Sequence, residues 1–570
     1  MDKLKMHTPN KADDNFKKLA AMFPNAVTET IDENGEVVRA IDKDVLMQEI
    51  SCKVVDGNEE RYQFTWPDKK KSVLLANAPI NKTLRPVRED ETVPTGADSE
   101  GKPYCSTGSV DFDTTENLYI EGDNLEVLKL LQETYLGKIK MIYIDPPYNT
   151  GNDFVYNDEF GIRNEEWNGI SGNYDADGNQ IVGALEKNTE ANGRFHTDWL
   201  NMIYPRQKLA KDLLTEDGVV FVSIDANESH NLRKICEEVF GSSNFVSEII
   251  IQNNPRGRQS DRFIATAHEY LLCFCKNSMS CVLNGLPLSE EQKAEYSFSD
   301  EKGAYRLLGL RQRGVASLRE DRPDMFFPIY VNPKTQEVSL EIHNDWCEVI
   351  PKKSDGREGR WMWGKEKCKV DSARLVARLI ERRGEYDIFV KDYLDREDGA
   401  RTRKFKSIWD DKALNNQVGT QEVKALLKGD IMSFPKSKAF IQMVCQLGGT
   451  PDAIVMDFFS GSATTAHAVM QLNAEDGGHR KFIMVQLPEK CDEKSEAYKA
   501  GYKTICEIGK ERIRRAGKKI REENTDNSSL LTPNSKLDTG FRVLKCDTSN
   551  MKDVYYNPAE YEVNMFSRLE

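Results

Sequence analysis

A strand, a helix and a second strand follow one another between residues 118 and 148, and this unit limits the possible folds more than any other stretch. Residues 118–120 are apolar, and from Asn124 onward leucines recur at helical spacing until Gly137 ends the helix. Residues 141–144 are apolar again. Because two parallel strands need a crossover connection, the unit predicts a parallel sheet with helices on its faces.

The same alternation continues along the chain. Residues 218–225 form a near-continuous apolar run, which is typical of a strand buried on both faces. Further strands are predicted at 245–252, 454–457 and 481–489, and helices at 10–23, 41–55, 199–214, 229–240 and from Thr464. The alternation stops between about 286 and 403. We therefore predict an α/β protein with an insert of a different kind.

The loop after residues 141–144 carries Asp145, Pro146, Pro147 and Tyr148. The prolines stiffen this loop, and the acid lies at the carboxyl end of a strand, where open α/β sheets bind ligands. The exocyclic amine of a nucleobase is a poor nucleophile because its lone pair is delocalised into the ring. Asp145 and the Pro146 carbonyl could accept its two N–H groups and localise that lone pair, while the base stacks on Tyr148.

Asp-Pro-Pro-Tyr resembles the catalytic tetrapeptide of amino-group DNA methyltransferases that use S-adenosylmethionine. The resemblance implies that Asp145, Pro146, Pro147 and Tyr148 are the catalytic residues, and that no metal is required. Asp at the first position is similar to the adenine-N6 enzymes, whereas the cytosine-N4 enzymes usually carry Ser. The structural alternative is a proline-stiffened strand end with a capping Asp.

A second motif follows the strand predicted at 454–457, where the apolar run enters a turn of small residues. Gly461 lets a ligand approach the backbone, and the amides at the helix start can bind a carboxylate. The pattern Asp-x-Phe-x-Gly-Ser-x-Thr-Thr at residues 457–465 resembles the S-adenosylmethionine loop of the same methyltransferases, with Ala463 where many members have a second Gly. A purely structural strand-to-helix turn is the alternative. The resemblance implies five cofactor-binding residues, Asp457, Phe459, Gly461, Ser462 and Thr464.

Other positions extend the predicted cofactor site. By the same resemblance, Lys436 in the short motif 433–437 lies near the methionine carboxylate, and Asp123 accepts from the adenine amine of the cofactor. In such folds an acid or amide near the end of the strand that follows the cofactor loop, here 481–489, often binds the ribose hydroxyls of the cofactor. Gln486 and Glu489 are the two candidates, and the sequence does not choose between them.

The stretch from 286 to 404 is rich in basic and aromatic residues. Between residues 351 and 410 there are 17 Lys and Arg against 12 Asp and Glu, whereas the whole chain has a net charge of −14. Because DNA binding needs a basic contacting face, we predict that this insert reads double-stranded DNA. The predicted DNA contacts are Arg311, Arg313, Arg360 and Trp361, together with Arg256 and Arg258 in the loop after 245–252. For the last two arginines, a surface position without such a role is the alternative.

The catalytic tetrapeptide precedes the cofactor loop by about 310 residues, with the basic insert between them. This order resembles the circularly permuted β-class of amino methyltransferases. It implies a Rossmann-like S-adenosylmethionine-dependent methyltransferase sheet that is circularly permuted and carries an inserted DNA-recognition domain. The predicted domains are an N-terminal accessory segment (1–105), a catalytic half (106–285), a target-recognition insert (286–404), a cofactor-binding half (405–525) and a C-terminal segment (526–570).

Four further stretches, 5–11, 199–206, 415–420 and 540–543, resemble the modification (Mod) subunit of type III restriction-modification systems. The resemblance implies a homodimer that methylates adenine at a specific DNA site and docks a restriction (Res) helicase-nuclease subunit. Mod subunits commonly continue past this length, so we expect a shortened form. The alternatives are a cytosine-N4 enzyme, a protein or RNA methyltransferase, and a recognition scaffold that directs the nuclease with methylation secondary.

The composition, 39% hydrophobic and 30% charged, is ordinary for a soluble protein, and 570 residues are enough for two to four domains. No apolar stretch approaches the length of a membrane span, so we expect a cytoplasmic protein with no membrane partner. The 12 cysteines show no C-x-x-C spacing, and Cys273 and Cys275 are expected in the core of a strand. Residues 89–107 resemble a linker, and the polar stretch 152–193 is expected to be a mobile flap.

Overall fold

The computed structural model describes residues 64–88, 108–151, 192–353, 355–396, 399–526 and 537–548. It also describes short segments at 3–4, 10–22, 26–31, 37–43, 46, 154–156, 185–189 and 554–555. The predicted linker at 89–107 lies outside the described residues. The predicted helix at 41–55, the predicted flap and the C-terminal segment lie largely outside them.

A ten-stranded mixed sheet forms the centre of the first of two compact units, which comprises residues 1–284 and 406–570. In chain order its strands are β1 (Lys82–Val87), β2 (Leu118–Glu121), β3 (Ile139–Ile144), β4 (Leu214–Ile224), β5 (Phe245–Ile251), β6 (Glu269–Cys275), β7 (Ile408–Trp409), β8 (Ile454–Asp457), β9 (Lys481–Gln486) and β10 (Arg542–Thr548). Their order across the sheet is β7-β5-β6-β4-β3-β8-β9-β2-β10-β1. The α/β architecture predicted from the sequence is confirmed.

The middle of the sheet is parallel, and strands from distant parts of the chain alternate there. Strand β8 pairs with β3 on one side and with β9 on the other, in both cases in parallel. Strand β6 runs antiparallel to both β4 and β5. Therefore the carboxyl ends of β3, β4, β5, β8 and β9 and the amino end of β6 all lie at one edge, which we call the carboxyl edge.

Helices accompany these strands in the first unit. They are α1 (Lys69–Asn77), α2 (Asn124–Tyr135), α3 (Phe195–Leu213), α4 (Ser229–Phe240), α5 (Asn416–Leu427), α6 (Lys438–Gly448), α7 (Thr464–Asp476), α8 (Glu496–Lys499) and α9 (Ile505–Asp526). In α4 the buried apolar residues are 232, 235, 236, 239 and 240, which is the spacing of one helical face. Burying each large side chain of this kind contributes about 1.5–3 kcal/mol. The helix ends at Gly241, whose φ is +97°.

The core of this unit contains the apolar runs that the sequence singled out. Tyr143, Phe221 and Trp199 are almost completely buried, and strands β3 and β4 are buried on both faces over residues 139–144 and 218–224. Cys273 and Cys275 are buried in β6, as predicted. Every helix in the parts of the chain named above is too short or too polar to span a bilayer.

The second compact unit comprises Gly285–Phe405, and the predicted insert boundaries, 286 and 404, lie one residue inside its ends. It holds a four-stranded sheet of Phe298–Asp300, Gly303–Gly309, Glu385–Tyr393 and Leu375–Ile380, in that spatial order. A three-stranded sheet is built from Val338–Ser339, Ile329–Val331 and Cys347–Val349. Two short helices, Glu290–Ala294 and Lys365–Val370, accompany them. Its apolar core includes Trp361, Ile329 and Ile388, each with no exposed surface.

The remaining elements are a helix and short strand pairs. The helix is Lys11–Met22, close to the predicted 10–23. The pairs are Lys3–Leu4 with Val554–Tyr555, Val27–Ile31 with Val37–Ile41, Phe154–Tyr156 with Leu185–Lys187, Leu286–Pro287 with Thr402–Arg403, and Asp395–Arg396 with Gly399–Ala400. Short 3-10 turns lie at Ser242–Asn244, Arg319–Asp321, Pro323–Met325, Ser372–Arg374 and Lys412–Leu414.

Candidate active site

The Asp-Pro-Pro-Tyr loop leaves β3 at the carboxyl edge and is fixed from below by α3 and α4. The Trp199 indole on α3 donates to the Pro147 carbonyl at 2.7 Å. The next residue after the tetrapeptide, Asn149, has a φ of +57° and donates to the fully buried Glu228 carboxylate at 2.6 Å. His196 Nδ1 lies 2.6 Å from the same carboxylate oxygen. The two prolines and these hydrogen bonds restrict the loop to a single backbone conformation.

Four side chains meet above this loop, namely Asp145, Tyr148, Glu269 and Lys436, which we call the carboxylate–lysine cluster. The Lys436 ammonium contacts both Glu269 oxygens, at 2.7 and 2.8 Å, and lies 3.4 Å from Asp145 Oδ1. It also donates to the Tyr148 hydroxyl at 2.7 Å. That hydroxyl lies 2.9 Å from Asp145 Oδ1 and 3.2 Å from Glu269 Oε2, so its single proton is shared between two carboxylates.

Burial and charge act in opposite directions on the cluster. Burial raises the pKa of Asp145, and the neighbouring Glu269 raises it further, whereas Lys436 lowers it. Burial lowers the pKa of Lys436, but the carboxylates Asp145 and Glu269 outweigh burial and the net shift is upward. Burial, and then the charges of Asp145 and Glu269, raise the pKa of Tyr148 well above its usual value. At neutral pH the cluster therefore holds a charged lysine and a neutral tyrosine.

The small-residue loop after β8 lies at the same edge, one strand away from Asp145. The Asp457 carboxylate accepts from the Phe459 amide at 3.1 Å and from the Thr465 hydroxyl at 2.6 Å. Burial raises the pKa of Asp457 to about 7. Asp457 thus closes the turn from below, and its oxygens are directed at the loop and the first turn of α7.

Two left-handed residues shape this loop. Gly461 has a φ of +48°, and a Cβ placed there would meet only Met432 Cε, at 3.7 Å. Ala463, at the position where a second Gly was expected from the resemblance, has a φ of +59° just before α7. A left-handed conformation costs a non-glycine residue about 1–2 kcal/mol, so the turn is formed at some strain.

An arginine from α9 supports the loop from its far side. Arg512 has no exposed surface, and its Nη1 donates to Ser462 Oγ at 2.8 Å and to Thr464 Oγ1 at 2.6 Å. Burial lowers the pKa of Arg512 to about 10, which still leaves it charged at neutral pH. Both hydroxyls therefore face the protein interior, and what the loop offers outward is its backbone and the amino end of α7.

The remaining predicted cofactor residues also have partners within the protein. Gln486 accepts from the Gly461 amide at 2.7 Å, so its side chain positions the loop. Asp123 caps α2 by accepting from the amides of residues 125 and 126, and its other oxygen lies 3.3 Å from Arg206 Nη2. Its carboxylate is still 22% exposed. Glu489 is half-buried beyond the end of β9, and its backbone carbonyl accepts from Ile505.

The donor set around the loop fits S-adenosylmethionine. A glycine without a facing side chain gives close access to the backbone, and the amino end of α7 favours a carboxylate. The partly exposed carboxylate of Asp123 can accept from an amine, and the Asn124 amide holds that loop to the Phe458 carbonyl at 2.8 Å. Because β3 and β8 are neighbours, a molecule bound here lies beside Asp145.

Comparison with known proteins agrees with this geometry. A family model described as DNA methylase (N6 and N4) matches residues 139–518, which is more than half of the chain and includes both loops. The chain belongs to the DNA methylase family. Methylases of this family use S-adenosylmethionine. The family therefore confirms the predicted cofactor and the predicted DNA methyltransferase activity.

Similar curated proteins place the methylase within the Mod group. It is 33% identical to the type III restriction-modification enzyme EcoPI Mod subunit of Escherichia phage P1 over 536 residues, covering 93% of this chain and 77% of the relative. It is 30% identical to the EcoP15I Mod subunit of Escherichia coli over 574 residues, covering 96% and 82%. It is also 34% identical to the type II methyltransferase M.KpnI of Klebsiella pneumoniae over 396 residues, covering 69% and 86%.

The predicted DNA contacts of the methylase divide into exposed and buried residues. Arg256 and Arg258 are exposed in the loop between β5 and β6, and Arg313 is exposed in the second unit. Arg311 forms an ion pair with Asp387 and donates to the Lys352 carbonyl. Its guanidinium is therefore already bound within that unit.

The structure corrects two of these predictions. Trp361 has no exposed surface and donates to the Phe327 carbonyl at 2.8 Å, so it is a core residue of the second unit. Arg360 is 8% exposed and donates to the Ala316 carbonyl at 2.6 Å. Neither side chain can reach DNA in this conformation. Alternating basic and aromatic residues in the sequence do not reveal which of them face inward.

Sequence reasoning missed Glu269, Glu228, Arg206 and Arg512 in the methylase. Glu269 is the first residue of β6, 124 positions after Asp145, and only the antiparallel course of that strand brings it to the site. Arg206 lies in a stretch that the resemblance singled out, and its Nε donates to Asn124, but its burial was not foreseen. Arg512 lies among the charged residues of α9, and yet it is fully buried under the cofactor loop.

Proposed function

We propose that this methylase transfers a methyl group to the N6 amine of adenine at a specific site in double-stranded DNA. In this proposal it acts as the modification and recognition subunit of a type III restriction-modification system. The observation that carries the proposal is the placement of Asp145 and the Pro146 carbonyl one strand away from the Gly461 loop, at the same edge of one sheet. An amine held by the first would lie beside a methyl donor held by the second.

Asp145 and the Pro146 carbonyl are the proposed acceptors for the two N–H groups of the target amine. The adenine is flipped out of the duplex at a cost of a few kcal/mol and stacks on the Tyr148 ring. The Lys436 ammonium lies 3.4 Å from Asp145 Oδ1 and pairs with that carboxylate. The incoming amine shares or displaces this contact, and Glu269 retains the lysine through its two short bonds.

A carboxylate at position 145 also favours the positive charge that develops on the attacking nitrogen. A hydroxyl there would stabilise that charge less, which is why Asp145 supports adenine-N6 rather than cytosine-N4 transfer. The Lys436 ammonium lies 3.4 Å from Asp145 Oδ1 and pairs with the Glu269 carboxylate at 2.7 Å. The net field at the target amine is therefore set by the position of the Lys436 side chain.

S-adenosylmethionine, when bound, supplies an electrophilic sulfonium methyl group. We propose that the Gly461 backbone and the start of α7 hold its methionine end, with Asp457, Phe459, Ser462 and Thr464 shaping that loop. Asp123 is the proposed acceptor for its adenine amine. Gln486 and Glu489 are the two proposed candidates for the ribose hydroxyls, and the Gln486 side chain also accepts from the Gly461 amide.

The proposed partners are double-stranded DNA, a second copy of the chain and a Res subunit. Support comes from relatives at 30–33% identity over most of the chain, which are described as Mod subunits of type III restriction-modification enzymes. The 285–405 unit, which carries the exposed Arg313, is the proposed reader of the target sequence. Co-purification with the product of a neighbouring restriction gene tests the Res contact, and sedimentation of the purified chain tests the dimer.

Long-read sequencing of DNA from cells that express the protein tests the proposal most directly, because it reports the modified base and its sequence context together. We expect N6-methyladenine at one defined motif. Methylated cytosine, or no modification in DNA that carries every short motif, would refute the proposed function.

Two variants separate the roles of the two loops. Asp145→Ala should abolish methylation and leave S-adenosylmethionine binding near normal, because Asp145 is not part of the cofactor loop. Gly461→Leu should weaken cofactor binding at least tenfold, because a branched side chain at a φ of +48° both strains the turn and occupies the open face. Calorimetric titration with the cofactor measures both, and normal cofactor binding by Gly461→Leu would contradict the assignment of this loop.

A further inference from the structure

Residues 253–268, in the segment between β5 and β6, form a closed hairpin at the carboxyl edge of the sheet. We propose that this 253–268 hairpin inserts Phe263 and Ile264 into the stack of duplex DNA beside the target adenine. The proposal rests on the proposed function, since it assigns a way of opening the duplex to the same site. Asn253, at the root of the hairpin, donates to Glu269 Oε2 at 2.9 Å, which ties the hairpin directly to the carboxylate–lysine cluster.

The hairpin is organised by its own hydrogen bonds. The Asn254 amide donates to the Ala267 carbonyl at 3.2 Å, and the Arg258 amide donates to the Thr266 carbonyl at 2.8 Å. Across the tip, the Asp261 carboxylate accepts from the Thr266 amide at 2.8 Å. These bonds close the loop above residue 258 and fix the direction of its tip.

The tip of this ordered hairpin is apolar. Phe263 is 85% exposed and Ile264 is 83% exposed, although both are large hydrophobic residues. Adjacent large apolar side chains held almost fully in water mark a surface that is covered in a complex. Both residues lie between Asp261 and Thr266, which are joined by a hydrogen bond from the Thr266 amide to the Asp261 carboxylate.

The charges around the tip select nucleic acid as the occupant. Three exposed arginines, Arg256, Arg258 and Arg262, stand against one acid, Asp261, in a chain whose net charge is −14. The Arg262 guanidinium lies 4.9 Å from the centre of the Phe263 ring, so cation and ring form one surface. Apolar wedges flanked by arginines unstack a base step while the arginines bind the adjacent phosphates.

Base flipping supplies the gap that this tip would fill. An extruded adenine leaves a cavity in the duplex, and the partner base loses its stacking and pairing. Because the hairpin starts and ends at the edge that carries Asp145, Phe263 and Ile264 are on the correct side of the sheet to occupy that cavity. The tip would then lower the cost of extrusion without touching the reacting amine.

The test compares a paired duplex with one that is already open. Both carry the motif found by sequencing, and the second has an abasic position opposite the target adenine. The variant is Phe263→Ser with Ile264→Ser, and the matched control is Met279→Ser with Val282→Ser. The control residues are also apolar and exposed, at 92% and 69%, but they follow the far end of β6, at the opposite edge of the sheet.

We expect the hairpin variant to lose kcat/KM for methyl transfer about tenfold to a hundredfold on the paired duplex and less than about threefold on the abasic duplex, because wedge insertion offsets unstacking. The control should stay within about twofold of the unaltered protein on both. Equal losses on the two duplexes, or full activity of the hairpin variant on the paired duplex, would overturn the inference.

A direct contact measurement separates this inference from the proposed function. Phe263→p-benzoylphenylalanine should crosslink on irradiation to bases next to the target, and the same probe at Met279 should not. Absence of crosslinks in a protein that methylates adenine overturns the hairpin inference alone. Absence of adenine methylation by the unaltered protein, with base crosslinks still formed at position 263, overturns the proposed function and leaves the insertion standing.

Discussion

Removing Glu269 should expose how strongly the carboxylate–lysine cluster is coupled. In the variant Glu269→Ala, the Lys436 ammonium, 7% exposed, loses contacts of 2.7 and 2.8 Å and keeps Asp145 at 3.4 Å. Removing one partner of a buried ion pair costs about 3–5 kcal/mol. Because a second carboxylate remains nearby, we expect about 3 kcal/mol, at the low end of that range.

Lys436→Met should cost less, about 2 kcal/mol, because Glu269 keeps hydrogen bonds from the Tyr148 hydroxyl at 3.2 Å and from Asn253 at 2.9 Å. The double variant should be little worse than Glu269→Ala alone, because it buries no unpaired lysine. The expected coupling energy is therefore about 2 kcal/mol.

The assay is urea unfolding followed by circular dichroism on the four proteins of the cycle. The control cycle uses Glu290 and Lys293, an exposed pair at 2.7 Å in the second unit, for which we expect no measurable coupling. If the losses at 269 and 436 simply add to within about 0.5 kcal/mol, the two side chains are not a coupled buried pair and the reasoning fails.

Two further predictions concern the loops. Asp457 has a pKa of about 7 in the folded protein, above its value in the unfolded chain, so its contribution to stability is fully present below the unfolded pKa of about 3.9 and is lost as pH rises through about 7. The free energy of unfolding of Asp457→Asn, relative to that of the unaltered protein, should therefore rise between pH 5 and pH 8, by at most about 1.4 kcal/mol per pH unit. A difference that does not change with pH would contradict the assignment. Trp199→Phe removes the 2.7 Å bond to the Pro147 carbonyl, and the freed loop should lower kcat about tenfold with cofactor affinity unchanged; steady-state kinetics measure both, and an unaltered kcat would show that the indole does not position the loop.

The fold was predictable where the pattern is local. Apolar runs and helical spacing predicted β3, β4, β8 and β9, and the helix at Ser229–Phe240 has its predicted bounds. Each of these elements buries a face that its own sequence marks. The circular permutation and the DNA-reading role of the second unit stay predictions.

The site was predictable only in part, because some of its side chains come from places without a local signal. The two loops carry recognisable motifs, but Glu269 is the first residue of an ordinary apolar strand. The expected position of Lys436 near the methionine end of the cofactor stays a prediction, and its contacts with Glu269 and Tyr148 had no signal in the sequence. Trp361 was misassigned because an aromatic residue among arginines suits a core as well as a surface. The surroundings of these three residues depend on contacts between segments that are far apart in the sequence.

The position of β8 between β3 and β9 has a consequence for how the protein is made. On the ribosome, Asp145 emerges about 310 residues before the strand that must lie next to its own, and the whole 285–405 unit is synthesised in the interval. Contacts that are this distant in sequence form late. A nascent chain therefore carries the Asp145 loop without the Gly461 loop beside it until residues 454–461 have been translated, and the proposed site cannot form before that point.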